Sequence, residues 1–179
     1  MKYPVLSIFS FLGRPTHALV VFIFLASFAC TALAEPAKVE RRLLTFGQKA
    51  MEDRLYELAE AQFQTLLTQY PSSEYREEAA CLLAQSLLNQ WRWQEAKELL
   101  ESRLPTTSPA WQDSYYFWIG ESLLKGENYD GAYKTYEQLV AHYPQSRYLV
   151  DARDGMARAL LQQQKFYLAQ ELLKGLQKE

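Results

Sequence analysis

The chain repeats itself every 36 to 37 residues, and no other property restricts its possible folds so narrowly. A small residue stands at Gly47, Ala84, Gly120 and Ala157, at intervals of 37, 36 and 37. Nine residues after each comes an aromatic: Tyr56, Trp93, Tyr129 and Phe166. Twelve residues after each comes an alanine: Ala59, Ala96, Ala132 and Ala169. Four residues further on stands a large apolar side chain, Phe63, Leu100, Tyr136 or Leu173. Leu66, Leu139 and Leu176 extend the pattern, and Arg103 breaks it in the second copy.

Each copy reads as two amphipathic helices. Leu43, Leu44, Phe46 and Ala50, and then Leu58, Ala59, Phe63, Leu66 and Leu67, recur at helical spacing. The small residue of the first helix and the alanine of the second are expected where two axes cross closely. The aromatic at the start of the second helix is expected to cover the turn. Outside the first 34 residues the prolines are Pro36, Pro71, Pro105, Pro109 and Pro144, all at copy edges, as a residue without an N–H requires. Tyr70 to Tyr75 and Tyr143 to Tyr148 are near-identical joints (YPSSEY and YPQSRY). In each, proline stops one helix, and Ser73 or Ser146 is expected to cap the next. The joint from Arg103 to Trp111 is longer and less regular. Eight helices are predicted, near 38–53, 56–69, 73–89, 93–104, 109–125, 129–142, 146–163 and 166–178.

The first 34 residues form a separate object. Lys2 and Arg14 precede an apolar run from Ala18 to Ala29, and Ala32-Leu33-Ala34 follows. That order is expected of a secretory signal peptide cleaved after Ala34. Cys30 offers an alternative, lipidation, but Ser27-Phe28-Ala29 places a bulky Phe28 where a small residue is wanted. Loss of the leader takes away two of 19 basic residues and none of 21 acidic ones, which leaves a charge of −4. No Lys/Arg block remains, so nucleic-acid binding through net field is disfavoured. One cysteine, Cys81, and one histidine, His142, remain, so no disulfide forms within the exported chain.

The small, aromatic, Ala and large-apolar spacings resemble tetratricopeptide repeats over about residues 38 to 179. The joints and the run Tyr116 to Pro144 are similar to repeats of two groups of bacterial envelope proteins, the periplasmic Tol-Pal coordinator and the BamD-like outer-membrane assembly lipoproteins. The resemblance implies an all-α chain, a right-handed α-solenoid of four helix hairpins, with repeats near 38–72, 73–108, 109–145 and 146–179. It also implies a non-catalytic scaffold of the periplasm or outer-membrane periphery that binds a peptide or protein partner. Membrane attachment is expected only through a lipidated Cys30 or an uncleaved leader.

In such a stack the first helices line a concave face. Its candidate partner-binding residues are Gln48, Gln85, Asn89, Phe117, Glu121, Lys125, Arg158 and Gln162. Leu44, Leu88, Leu124 and Leu161 lie on the same stripes. The mix of amides, both charge signs and apolar patches suits an extended segment. Among the crowded aromatics Trp111, Tyr115, Tyr116, Phe117 and Trp118, the register assigns Tyr116 to packing and leaves Phe117 and Trp111 as candidates for exposure. Trp91 has no counterpart in the other copies and is a further candidate. The last helix presents Leu168, Leu172, Leu173 and Leu176 with no following helix, so self-association through it, as a homodimer, is the alternative function. No phosphate-binding loop, zinc-protease or nucleophile-elbow motif is present. No catalytic residue, metal or cofactor is expected.

Overall fold

A glycine brought against an aromatic ring explains how the helices pair. A Cβ added at Gly47 would lie 2.4 Å from the Phe63 ring, and one at Gly120 would lie 2.5 Å from the Tyr136 ring. The first helix of a hairpin can approach the second only because that Cβ is missing. The small residue therefore faces the large apolar side chain, four residues beyond the alanine that the pattern singled out. Where the large residue is Leu100 or Leu173, the small residue is Ala84 or Ala157, so ring width and residue size vary together along the repeat.

The computed structural model describes residues 37–176. The expected leader, its cleavage point after Ala34, and Cys30 lie outside the described residues. The chain divides into two units, Met1–Val39 and Glu40–Glu179, and the helical stack belongs to the second. Helix α1 covers residues 37–52. It is followed by α2 (Tyr56–Gln69), α3 (Arg76–Asn89), α4 (Trp93–Arg103), α5 (Pro109–Lys125), α6 (Tyr129–His142), α7 (Leu149–Gln162) and α8 (Phe166–Leu176). A turn of 3₁₀ helix, Leu104–Thr106, fills the irregular joint after α4. No strand occurs among the described residues. From α2 onward each helix packs on the next, and α3 meets α5 while α5 meets α7. That is an all-α, tetratricopeptide-like solenoid, with first helices side by side on one face. None of the described helices is long and apolar enough to cross a membrane.

The period recurs in the backbone. Arg54, Trp91, Glu127 and Gln164 all adopt a left-handed conformation, with φ between 59° and 63°. The amide after each reaches back across the turn: Leu55 to the Ala50 carbonyl, Arg92 to Leu87, Asn128 to Leu123 and Lys165 to Leu160, at 2.8 to 2.9 Å. This is the helix-ending arrangement that glycine usually provides, built here four times from residues that carry a Cβ.

Two serines do not act as expected. The Ser73 hydroxyl accepts from the Tyr75 amide at 3.2 Å, and Ser146 from the Tyr148 amide at 3.1 Å. Each closes a tight turn two residues on, which delays α3 to Arg76 and α7 to Leu149. Neither serine caps a helix. The described helix with a side-chain cap is α6, where Asn128 accepts from the Gly131 amide at 3.0 Å.

The core forms two clusters that meet at α5. The first runs from Leu44 to Ile119 and the second from Phe117 to Ala159, with Trp118 and Leu123 packed against both. Within the second, Tyr136 is fully buried. It is gripped on two sides, since a Cβ at Gly155 of α7 would also lie 2.5 Å from its ring.

Candidate functional site

The first helices set the inner face, and one residue after each small position sets its polar row: Gln48, Gln85, Glu121 and Arg158. In the first pair, Gln48 donates to Glu78 of α3 at 3.0 Å. In the last pair, Arg158 of α7 donates to Glu121 of α5 at 2.7 Å and to Asp154 at 2.9 Å. The Tyr136 hydroxyl donates to the same Glu121 oxygen at 2.6 Å. Burial, reinforced by the Glu121 charge, pushes the Tyr136 phenol well above its ordinary range. Burial works against the Arg158 charge, but Glu121 outweighs it, and the guanidinium pKa is raised. The phenol stays protonated and the guanidinium charged. Glu121 is thus fixed from below by a buried hydroxyl and from above by a cation.

Beside this network lies a cleft of about 350 Å³ between α5 and α7. Glu121, Lys125, Arg158 and Gln162 line it, together with Leu124 and Leu161, and Glu127 and Tyr129 close the end nearest the turn. Four of the eight expected partner-binding residues therefore converge. Gln48, Gln85 and Asn89 do not join them: they sit on α1 and α3, with Gln48 bonded to Glu78 and Asn89 donating to the Gln85 carbonyl at 3.0 Å.

Phe117, a candidate for exposure and a groove residue, belongs instead to the packing. It is 7% exposed, because Tyr148 from the joint before α7 stacks on it at 4.4 Å and 10°. Arg147 lies over the outer face of Tyr148, 4.7 Å from its centre. Trp111 is half-buried against the first cluster. Tyr115, rather than Tyr116, is fully buried, while Tyr116 packs against Tyr143 at 5.8 Å. Trp91 behaves as its lack of a counterpart suggested and is 76% exposed.

Sequence reasoning missed Tyr129 and Glu127 as cleft residues. Tyr129 was assigned to the turn, and its period with Tyr56, Trp93 and Phe166 carried no sign that one edge would reach the inner face. It also missed that Lys125 places its ammonium 5.2 Å over the Trp91 ring, a contact between two copies that no spacing within one copy reveals.

A second polar cluster ties the middle of the stack. Glu77 of α3 is buried and accepts from the Tyr115 hydroxyl at 2.6 Å and from Arg76 at 3.0 Å. Burial favours its neutral form, but Tyr115 and Arg76 outweigh that, and the carboxyl lies below its ordinary range. Nearby, burial and then the Glu77 charge push the free Cys81 thiol up to about 12, which keeps it protonated and unreactive. His142 is exposed at the end of α6, its Nδ1 2.9 Å from the Gln138 carbonyl. Among the described residues no three His, Cys, Asp or Glu side chains converge as metal ligands would.

Stacked hairpins with a cleft between their first helices define a helical-repeat protein of the tetratricopeptide type. Within that class the chain belongs to the YfiO family, described as outer membrane lipoprotein, whose model matches residues 36–174. No curated protein matches the chain.

Proposed function

We propose that this protein is a non-catalytic scaffold at the periplasmic side of a bacterial outer membrane, holding an extended segment of a protein partner in its inner groove. The observation that carries the reading is the convergence of Glu121, Lys125, Arg158 and Gln162 around Leu124 and Leu161 in one cleft. A pocket with an apolar floor and a few aimed polar groups is the usual form of a binding site. The YfiO family description supports the location, and a role in outer-membrane assembly or in a Tol-Pal-type system follows the same line. Export by the leader, cleaved after Ala34, is part of this reading; membrane attachment would instead require a lipidated Cys30 or an uncleaved leader. The repeat limits near 38–72, 73–108, 109–145 and 146–179 belong to it too.

A photo-crosslinking amino acid placed at Gln162, and for comparison at Gln94 on α4, tests it in intact envelopes. Crosslinks to a partner from position 162 and none from position 94 support the groove. Crosslinks from position 94 alone overturn it.

A second reading rests on α8. Phe166, Tyr167 and Leu168 are exposed and Leu173 is half-exposed, while Leu172 packs on the second cluster. An uncovered apolar face on a terminal repeat favours association of copies. Light scattering on residues 35–179 separates the two readings, since a monomer at all concentrations removes self-association.

A further inference from the structure

Trp91 is hard to explain as a structural residue. It sits in a left-handed turn position, φ 63°, where the other copies carry Arg54, Glu127 and Gln164. The repeat therefore does not call for an aromatic there. It buries little, being 76% exposed, so packing does not offset the backbone strain. Its ring lies against the Lys125 ammonium, 5.2 Å from the ring centre. Lys125 in turn lines the cleft next to Leu124 and Leu161. Trp91 thus stands at the mouth of the cleft, joined to it by a cation.

The charges at that mouth differ in their state. The Arg158 guanidinium is committed to Glu121 and Asp154. Among the described residues, Lys125 has no carboxylate partner. An ammonium held over an indole keeps most of its attraction for an anion, because the ring quadrupole solvates it only weakly. Exposed Glu127 is the opposing charge on the same rim, but it makes no ion pair with Lys125.

We propose that Trp91 and Lys125 form a second subsite of the groove, which takes an acidic side chain adjoining the apolar side chain seated over Leu124 and Leu161. The proposal rests on the groove reading and narrows it: the partner's extended segment carries a bulky apolar residue next to Asp or Glu. The apolar residue supplies contact area, and the carboxylate reaches Lys125 while its methylene stem lies along the exposed indole.

The test uses the full chain, labelled with ¹⁵N, and two synthetic peptides with blocked ends in a Gly/Ser background. One contains Leu-Glu and the other Leu-Gln. The indole N–H resonance of Trp91, assigned by its loss in Trp91→Phe, reports binding even in the millimolar range. The Leu-Glu peptide is expected to bind about two- to fivefold more tightly, the range for a partly exposed ion pair, with the preference shrinking in high salt. Lys125→Gln is expected to erase that preference, read as the ratio of the two peptide affinities within the variant. Equal affinities in the unaltered chain, or a preference that survives Lys125→Gln, overturn the proposal. Leu161→Ser separates it from the groove reading. If that change weakens both peptides while their affinities are equal throughout, the groove stands and the acidic subsite falls. Failure of both peptides to move any cleft resonance removes both.

Discussion

The first and third hairpins use the same packing device with one hydroxyl of difference. In the first, Gly47 admits the ring of Phe63, and the residue after the glycine, Gln48, turns to Glu78 on the neighbouring helix. In the third, Gly120 admits the ring of Tyr136, and the residue after it, Glu121, takes the tyrosine hydroxyl and then Arg158. Both rings are fully buried. Phenylalanine leaves the inner face above it to whatever polar residues happen to meet there. Tyrosine sends a donor up through the packing and fixes a carboxylate, which fixes a cation, and the described cleft with four expected groove residues lies beside that chain. A repeat scaffold can thus acquire a polar site without altering its helices, by adding one oxygen at a position the core already fills.

Disturbing the ring seats is the harshest way to break this comparison. Gly120→Ala combined with Gly155→Ala drives a Cβ against Tyr136 from both sides, and is expected to destabilise the fold by about 3 kcal/mol after the modest gain in helix propensity. Gly47→Ala meets Phe63 from one side only and should cost about 2 kcal/mol. Thermal unfolding of both variants checks the order, and an equal loss would mean that the third junction is no tighter than the first. Tyr136→Phe makes the third hairpin like the first. It should cost about 1.5 kcal/mol, the scale of a hydrogen bond to a charged group, and weaken binding in the cleft as Glu121 and Arg158 loosen. The helical signal should not change. Unaltered peptide binding by a folded Tyr136→Phe variant would break the link between the buried hydroxyl and the cleft.

Acid sharpens the contrast at the middle junction. The Glu77 carboxyl lies below its ordinary value of 4.5. Its contribution is therefore fully present above that value and is lost as pH falls through the lowered one. The unfolding temperature should drop more steeply below about pH 4.5 for the natural chain than for Glu77→Gln, and parallel slopes would show that Glu77 is not the group responsible. The smallest effect is expected at the turns. Gln164→Gly removes the Cβ from a left-handed position and should raise stability by about 0.5–1 kcal/mol. A decrease in denaturant midpoint would mean that the glutamine side chain contributes more than its conformation costs.

Much of the fold was legible. A period of 36 to 37 residues with helical spacing inside each copy leaves few arrangements other than stacked hairpins, because each pair exposes an apolar face that its neighbour must cover. The joints were misread by three residues, since a serine after Tyr-Pro is equally able to cap a helix or to close a turn, and the choice depends on the following backbone. The site was half legible. Register put Glu121, Lys125, Arg158 and Gln162 on one face. It could not tell that Phe117 lies under Tyr148, because that stack joins residues of two copies across a joint.

Periodicity is written in one dimension, and so the amino-acid order alone determined the all-helical class and the pairing of helices. Which inner-face residues meet was decided only in three dimensions. The decisive contacts, Tyr136 with Gly155, Glu121 with Arg158 and Lys125 with Trp91, all run between hairpins. Their distances depend on how far each helix pair can close upon the next, and that is set by the volumes of side chains on both sides of the junction.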